Sequence, residues 1–135
     1  MKLITAVLLV SKSFTSCKKE TIKAPDNKPT ENAVLLEGNW VGKWGYTGTE
    51  PVNYFSINIK NDGTIEELSP AGEVVAIGSW ILKDNLFTVT HHYLLPYSSV
   101  FTSTATFDPV KKTLTGKWKN TSTTGDSGGW YLHEN

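Results

Sequence analysis

Arginine is missing from this chain, and all thirteen of its basic residues are lysines. Arginine's planar fork is the preferred partner of phosphates and guanine edges. Its absence, with a formal net charge of zero, argues against nucleic acid as a partner and against a dedicated phosphate site. Cysteine is almost missing as well: Cys17 stands alone, so no internal disulfide can form. No apolar run is long enough to cross a membrane as a helix. There is no Gly-x-Ser-x-Gly, no His-Glu-x-x-His and no P-loop, so no catalytic residues and no enzymatic activity are expected. With 39% hydrophobic and 19% charged residues, the composition is that of an ordinary globular domain.

The lone cysteine gains meaning from its position. Met1-Lys2 is a short basic start and Leu3 to Val10 an apolar run. Ser11-Lys12-Ser13-Phe14-Thr15-Ser16 then leads to Cys17, followed by Lys18-Lys19-Glu20. This is the layout of an export signal with small residues before the cut. Cysteine at the cut resembles bacterial lipoprotein signal peptides, and Ser-Phe-Thr-Ser-Cys before Lys-Lys is similar to the lipoprotein boxes of Bacteroidetes-type bacteria. The resemblance implies that 1–16 is a signal peptide and that Cys17 is lipidated and becomes the first residue. It implies a chain anchored at the cell envelope, at the outer membrane. Loss of Lys2 and Lys12 would leave eleven lysines against thirteen acids, a formal balance of −2. Residues 17–37, polar and broken by Pro25 and Pro29, read as a tether that reaches roughly 60 Å when extended. Ala33 to Leu36 is expected to form a helical turn that plugs the domain that follows.

From residue 38 to 135 the chain reads as eight short strands. All five tryptophans sit two residues after a glycine: Gly38-Asn39-Trp40, Gly42-Lys43-Trp44, Gly78-Ser79-Trp80, Gly116-Lys117-Trp118 and Gly128-Gly129-Trp130. On a strand, residues i and i+2 share a face, so each ring is expected to lie over the gap beside its glycine. Apolar and polar residues alternate through Asn39–Tyr46, Val52–Lys60, Thr64–Leu68, Glu73–Leu82, Leu86–Tyr93, Ser99–Phe107 and Thr113–Asn120, ending in a short strand Trp130–Glu134. Asn61-Asp62-Gly63 is a hairpin signal. No segment offers a helix long enough for a parallel crossover. The expected fold is therefore all-β, an eight-stranded antiparallel up-and-down barrel, with a β-sandwich as the alternative. The tryptophans of strands one, seven and eight would gather at the closure seam, with Trp80 on the opposite wall.

Leu36-Glu37-Gly38-Asn39-Trp40, Gly78-Ser79-Trp80 and Leu114-Thr115-Gly116-Lys117-Trp118 resemble small lipocalin-like lipoproteins of Bacteroidetes-type bacteria. The resemblance spans about Leu36 to Asn135. It implies a non-enzymatic barrel that binds a small apolar or amphipathic ligand, or alternatively a protein-interaction module with a packed core. It brings no catalytic residues, and no cofactor is expected.

For ligand contacts the candidates are Trp44 and Trp80, with His91, Tyr93, Tyr97 and Phe101 as an inner polar group and a rim at the barrel mouth. Trp40 and Trp118 are expected to be structural, with Trp40 sealing the floor. His91 and His92 point to opposite faces of one strand and cannot share an ion, so no metal site is expected. Glu66, Glu67 and Glu73 read as solvated surface. A Trp118 or Trp130 exposed at the surface would mark a partner face, and the Ser/Thr/Gly loop Thr121 to Gly129 is the feature to watch for a protein partner. Mass spectrometry of the membrane fraction is expected to find Cys17 acylated and the residues before it removed; unmodified Cys17 in soluble protein would refute the anchor.

Overall fold

In the computed structural model, which describes residues 33, 35–123 and 125–135, the alternating runs become eight antiparallel strands. They are β1 (Gly38–Tyr46), β2 (Asn53–Ile59), β3 (Thr64–Leu68), β4 (Val74–Lys83), β5 (Leu86–Tyr93), β6 (Val100–Asp108), β7 (Thr113–Asn120) and β8 (Ser127–Glu134). Each strand pairs with the next, and β8 returns to β1 from Trp40↔Glu134 to Tyr46↔Gly128, closing the barrel. A sandwich is thereby excluded: one continuous ladder runs round the ring. The signal segment, Cys17 and most of the expected tether lie outside the described residues.

The last strand begins earlier than its sequence shows. Gly128 and Gly129 pair with Tyr46 and Gly45 of β1, so the polar loop shrinks to 121–126 and β8 starts at Ser127. Glycine is a weak strand former, and here it serves the packing. A β-carbon on Gly128 would collide with the backbone carbonyl of Gly45. It would also stand 2.6 Å from the indole nitrogen of Trp118.

That contact revises the expected glycine–tryptophan pairing. The rings do not cover the glycine two residues back on their own strand. Across the β7–β8 ladder Trp118 faces Gly128 and takes its space, whereas at Gly116, opposite Trp130, the space is taken by the Thr104 carbonyl and Ala105 of β6. Directly opposed residues on paired strands are closer than i and i+2 neighbours along one strand, so at Gly128 the partner strand's ring takes the space. At Gly78 the space is taken by the Thr90 carbonyl and by His91, whose α- and β-carbons would lie 2.6 Å from an added β-carbon.

Inward-facing side chains fill the lower half of the barrel, where β1 begins and β2 ends. Trp40 is fully buried, donates its indole N–H to the Leu36 carbonyl at 2.8 Å, and meets Phe107 edge-on at 6.0 Å. Leu36 is itself fully buried, and its N–H reaches the Ala33 carbonyl at 3.2 Å. The turn before β1 therefore plugs the barrel, and Leu36 belongs to the core. Trp80 lies in this lower half too, packed on Phe87 at 5.8 Å and donating to the Lys60 carbonyl at 2.9 Å. Leu36→Ala is expected to cost about 2–5 kcal/mol through the cavity it leaves, whereas Leu35→Ala, at an exposed neighbour, should stay within about 0.5 kcal/mol. Urea denaturation of the two variants measures the difference.

Candidate functional site

The upper half is hollow. An eight-stranded ring is only just wide enough for side chains to fill, and at this end they leave a chamber of about 110 Å³. β1 supplies Trp44, β7 Trp118, β6 Phe101 and β5 Tyr93, each directed inward by the alternation of its strand. The rings touch edge to face in series. Trp44 meets Trp118 at 5.6 Å and 87°, Trp118 meets Phe101 at 5.7 Å and 62°, and Phe101 meets Tyr93 at 5.6 Å and 67°. Such contacts join the positive edge of one ring to the negative face of the next. Trp118 also donates its indole N–H to the Gly45 carbonyl at 3.2 Å, which ties β7 to β1 across the top of β8.

Within this aromatic wall sits a buried polar group. Glu67 is 8% exposed and His91 7%. The Tyr93 hydroxyl donates to Glu67 Oε1 at 2.6 Å. His91 Nε2 lies 3.2 Å from Glu67 Oε2, and its ring stacks on Phe101 at 5.6 Å and 15°. That 3.2 Å is within ion-pair range, yet the geometry is not that of a hydrogen bond, and Oε2 has no hydrogen-bond partner; neither does His91 Nδ1 or Trp130 Nε1. Burial foremost, then the charge of Glu67 and the hydrogen bond to it, hold the Tyr93 phenol well above its ordinary 10.0. Tyr93 therefore remains a donor.

Above the chamber lies an open vestibule of about 390 Å³ between the β3–β4 turn and the β5–β6 connection. Trp44, Glu67 and Tyr93 line both spaces, so the two adjoin at the polar group. Leu95 and Tyr97 stand at its edge, 90% and 69% exposed.

Of the expected contact residues, Trp44, His91, Tyr93 and Phe101 come together in the chamber, while Tyr97 lies outside it in the vestibule. Trp80 does not reach either space. β1 and β4 run in opposite directions, so tryptophans near their C-terminal ends sit at opposite ends of the barrel. Trp118 holds the seam as expected and lines the chamber as well. Trp130 is buried, at the chamber wall. His92, on the opposite face from His91, is exposed.

Glu67 is the correction that matters most, since it read as solvated surface. Glu66 does face outward and pairs with Lys60, and Glu73 is exposed, but Glu67 points in. β3 has five residues and two candidate faces, Ile65 with Glu67 or Thr64 with Glu66 and Leu68. Ile65, 2% exposed, decides between them. The register then shifts between Glu67 and Leu68, so that Val75 is skipped and Leu68 pairs with Val74 at the edge of the vestibule.

Comparison with protein-family models, curated proteins and solved structures finds no match. The architecture, a closed eight-stranded antiparallel barrel, is consistent with a lipocalin-like fold. Among the described residues no group of three or more His, Cys, Asp or Glu is placed to hold a metal, and no helix is long and apolar enough to cross a membrane.

Tyr93→Phe would leave both oxygens of a buried carboxylate without a hydrogen-bond donor. It is expected to cost about 1–3 kcal/mol at neutral pH. The unfolded phenol ionises near 10.0 and the folded one higher, so the stability linked to Tyr93 is complete below that pH and is lost as pH rises through the folded value. The variant should lack this part of the alkaline loss, as read by urea denaturation across neutral and alkaline pH.

Proposed function

We propose that this chain is a non-enzymatic binding barrel, anchored at the bacterial envelope through lipid on Cys17, that takes one small amphipathic ligand at its mouth. The observation that carries the reading is the division of the interior: packed below, hollow above, with a buried polar group inside an aromatic wall. Ligand sites combine apolar walls with a few placed polar groups in this way. At about 110 Å³, the inner chamber is below the roughly 300–1,000 Å³ typical of drug-sized pockets. A small head group fits inside, and the vestibule of about 390 Å³ has room for a longer apolar tail. The envelope location rests on the sequence of residues 1–20, and kinship with small lipocalin-like lipoproteins on the Gly-x-Trp strands.

A second reading, a protein-interaction module, draws support from the apolar side chains at the mouth, Leu95 and Tyr97 above all. Exposed apolar groups clustered at one rim favour a partner surface.

Two experiments separate these readings. Titration with small amphipathic compounds should change tryptophan emission saturably, because three tryptophans line the chamber. Ser103, 3% exposed and on the chamber wall, provides the control: Ser103→Leu fills the space and should abolish the response while the barrel remains folded. Absence of any response in the native protein, with a protein partner recovered from envelope extracts by pull-down, would favour the interaction module.

A further inference from the structure

We propose that the chamber selects a small organic cation, a primary or secondary ammonium on a short apolar body, over neutral or anionic molecules of the same size. This deepens the proposed function and rests on the chamber being a ligand site.

Charge is the first argument. None of the lysines among the described residues lines the chamber or the vestibule. Among the described residues the acidic and basic side chains there are Glu67 inside, Asp126 at the rim and His91 beside Glu67. A cleft lined by one sign of charge raises the local concentration of the opposite ion.

The second argument is an unmet valence. The Glu67 side chain is 10% exposed. An ionised carboxylate accepts up to about four hydrogen bonds, and the described structure gives this one a single donor, the Tyr93 hydroxyl, on Oε1. Oε2 has none. A buried carboxylate short of donors is costly; His91 Nε2 lies 3.2 Å from Oε2 without hydrogen-bond geometry, and an ammonium N–H supplies that hydrogen bond together with a full positive charge. Trp130 Nε1, also buried and without a partner, lines the same chamber and suits a hydroxyl or carbonyl oxygen on the same ligand.

The third argument is the wall. Trp44 and Trp118 meet at 87°, so their planes form a corner, and Phe101 continues it. Aromatic faces attract cations, tryptophan most strongly. A neutral guest would gain the same apolar contact without that attraction and without repairing Glu67.

Three probes of one shape test the idea: 2-phenylethylamine, 2-phenylethanol and phenylacetate, titrated at neutral pH by tryptophan fluorescence. The amine should bind at least roughly tenfold more tightly than the alcohol, the margin that one charge-assisted hydrogen bond provides, with phenylacetate weakest. Glu67→Gln keeps the acceptor for Tyr93 and removes the charge, so the amine should fall to the level of the alcohol while the alcohol is unchanged. Asp126 is exposed, so Asp126→Asn leaves the fold intact even where Glu67→Gln does not. It should weaken the amine alone by roughly two- to threefold, as expected of a rim charge. If the alcohol or phenylacetate binds as tightly as the amine, the selectivity is refuted and the ligand site stands. The same holds if Glu67→Gln folds and keeps the amine's advantage. If none of the three binds, the selectivity and the ligand site fall together.

Discussion

The β1–β8 ladder is the contact on which the rest depends. Seven residue pairs, from Trp40↔Glu134 to Tyr46↔Gly128, turn an open meander into a ring. Closure removes the sheet's free edges and commits every inward side chain to one narrow interior. Without it, the Trp44, Trp118 and Trp130 rings would line no common space. The glycines of the seam serve this closure by letting neighbouring strands approach where a β-carbon would collide with a carbonyl. Gly128 shows it most directly, with Gly45 on one side and the Trp118 ring on the other.

Closure also divides the interior. At the lower end Leu36 and Trp40 are locked by a hydrogen bond, and Trp80 and Phe87 pack on each other in the same half. At the upper end the large side chains meet edge to face round the wall, which leaves a hollow. Into it the structure places groups whose polarity the wall does not satisfy. Gly78, opposite His91 in the β4–β5 register, makes room for the imidazole that stacks on Phe101. Local choices on β4, β5 and β6 thus converge on a single polar group. A packed lower half beneath a partly satisfied upper half is the arrangement of a scaffold that holds a site.

Much of the fold was legible because alternation is a local signal. Thr64–Leu68, Leu86–Tyr93 and Thr113–Asn120 emerge with the bounds their sequences imply, since turn residues punctuate each run. The inward His91 follows from the same reading. Trp80 shows what alternation omits. It reports whether a side chain faces in or out, and says nothing of depth along the barrel until strand direction is considered. For Glu67 even the face was ambiguous, because a strand of five residues carries too few alternations to outvote a charged side chain's usual preference for water.

By itself, the sequence determined the all-β class, the eight strands, their up-and-down order and the inward aromatic faces, because each follows from period-two patterning and turn chemistry within a few residues. Only the tertiary structure decided that Trp118 covers Gly128, that Trp80 and Trp44 lie at opposite ends, and that Glu67 meets Tyr93 and His91 inside the barrel. Those outcomes depend on register and closure between strands distant in sequence. Glu67 and Tyr93 come within 2.6 Å across 26 residues of chain because β3 and β5 flank β4, where Ala76 pairs with both.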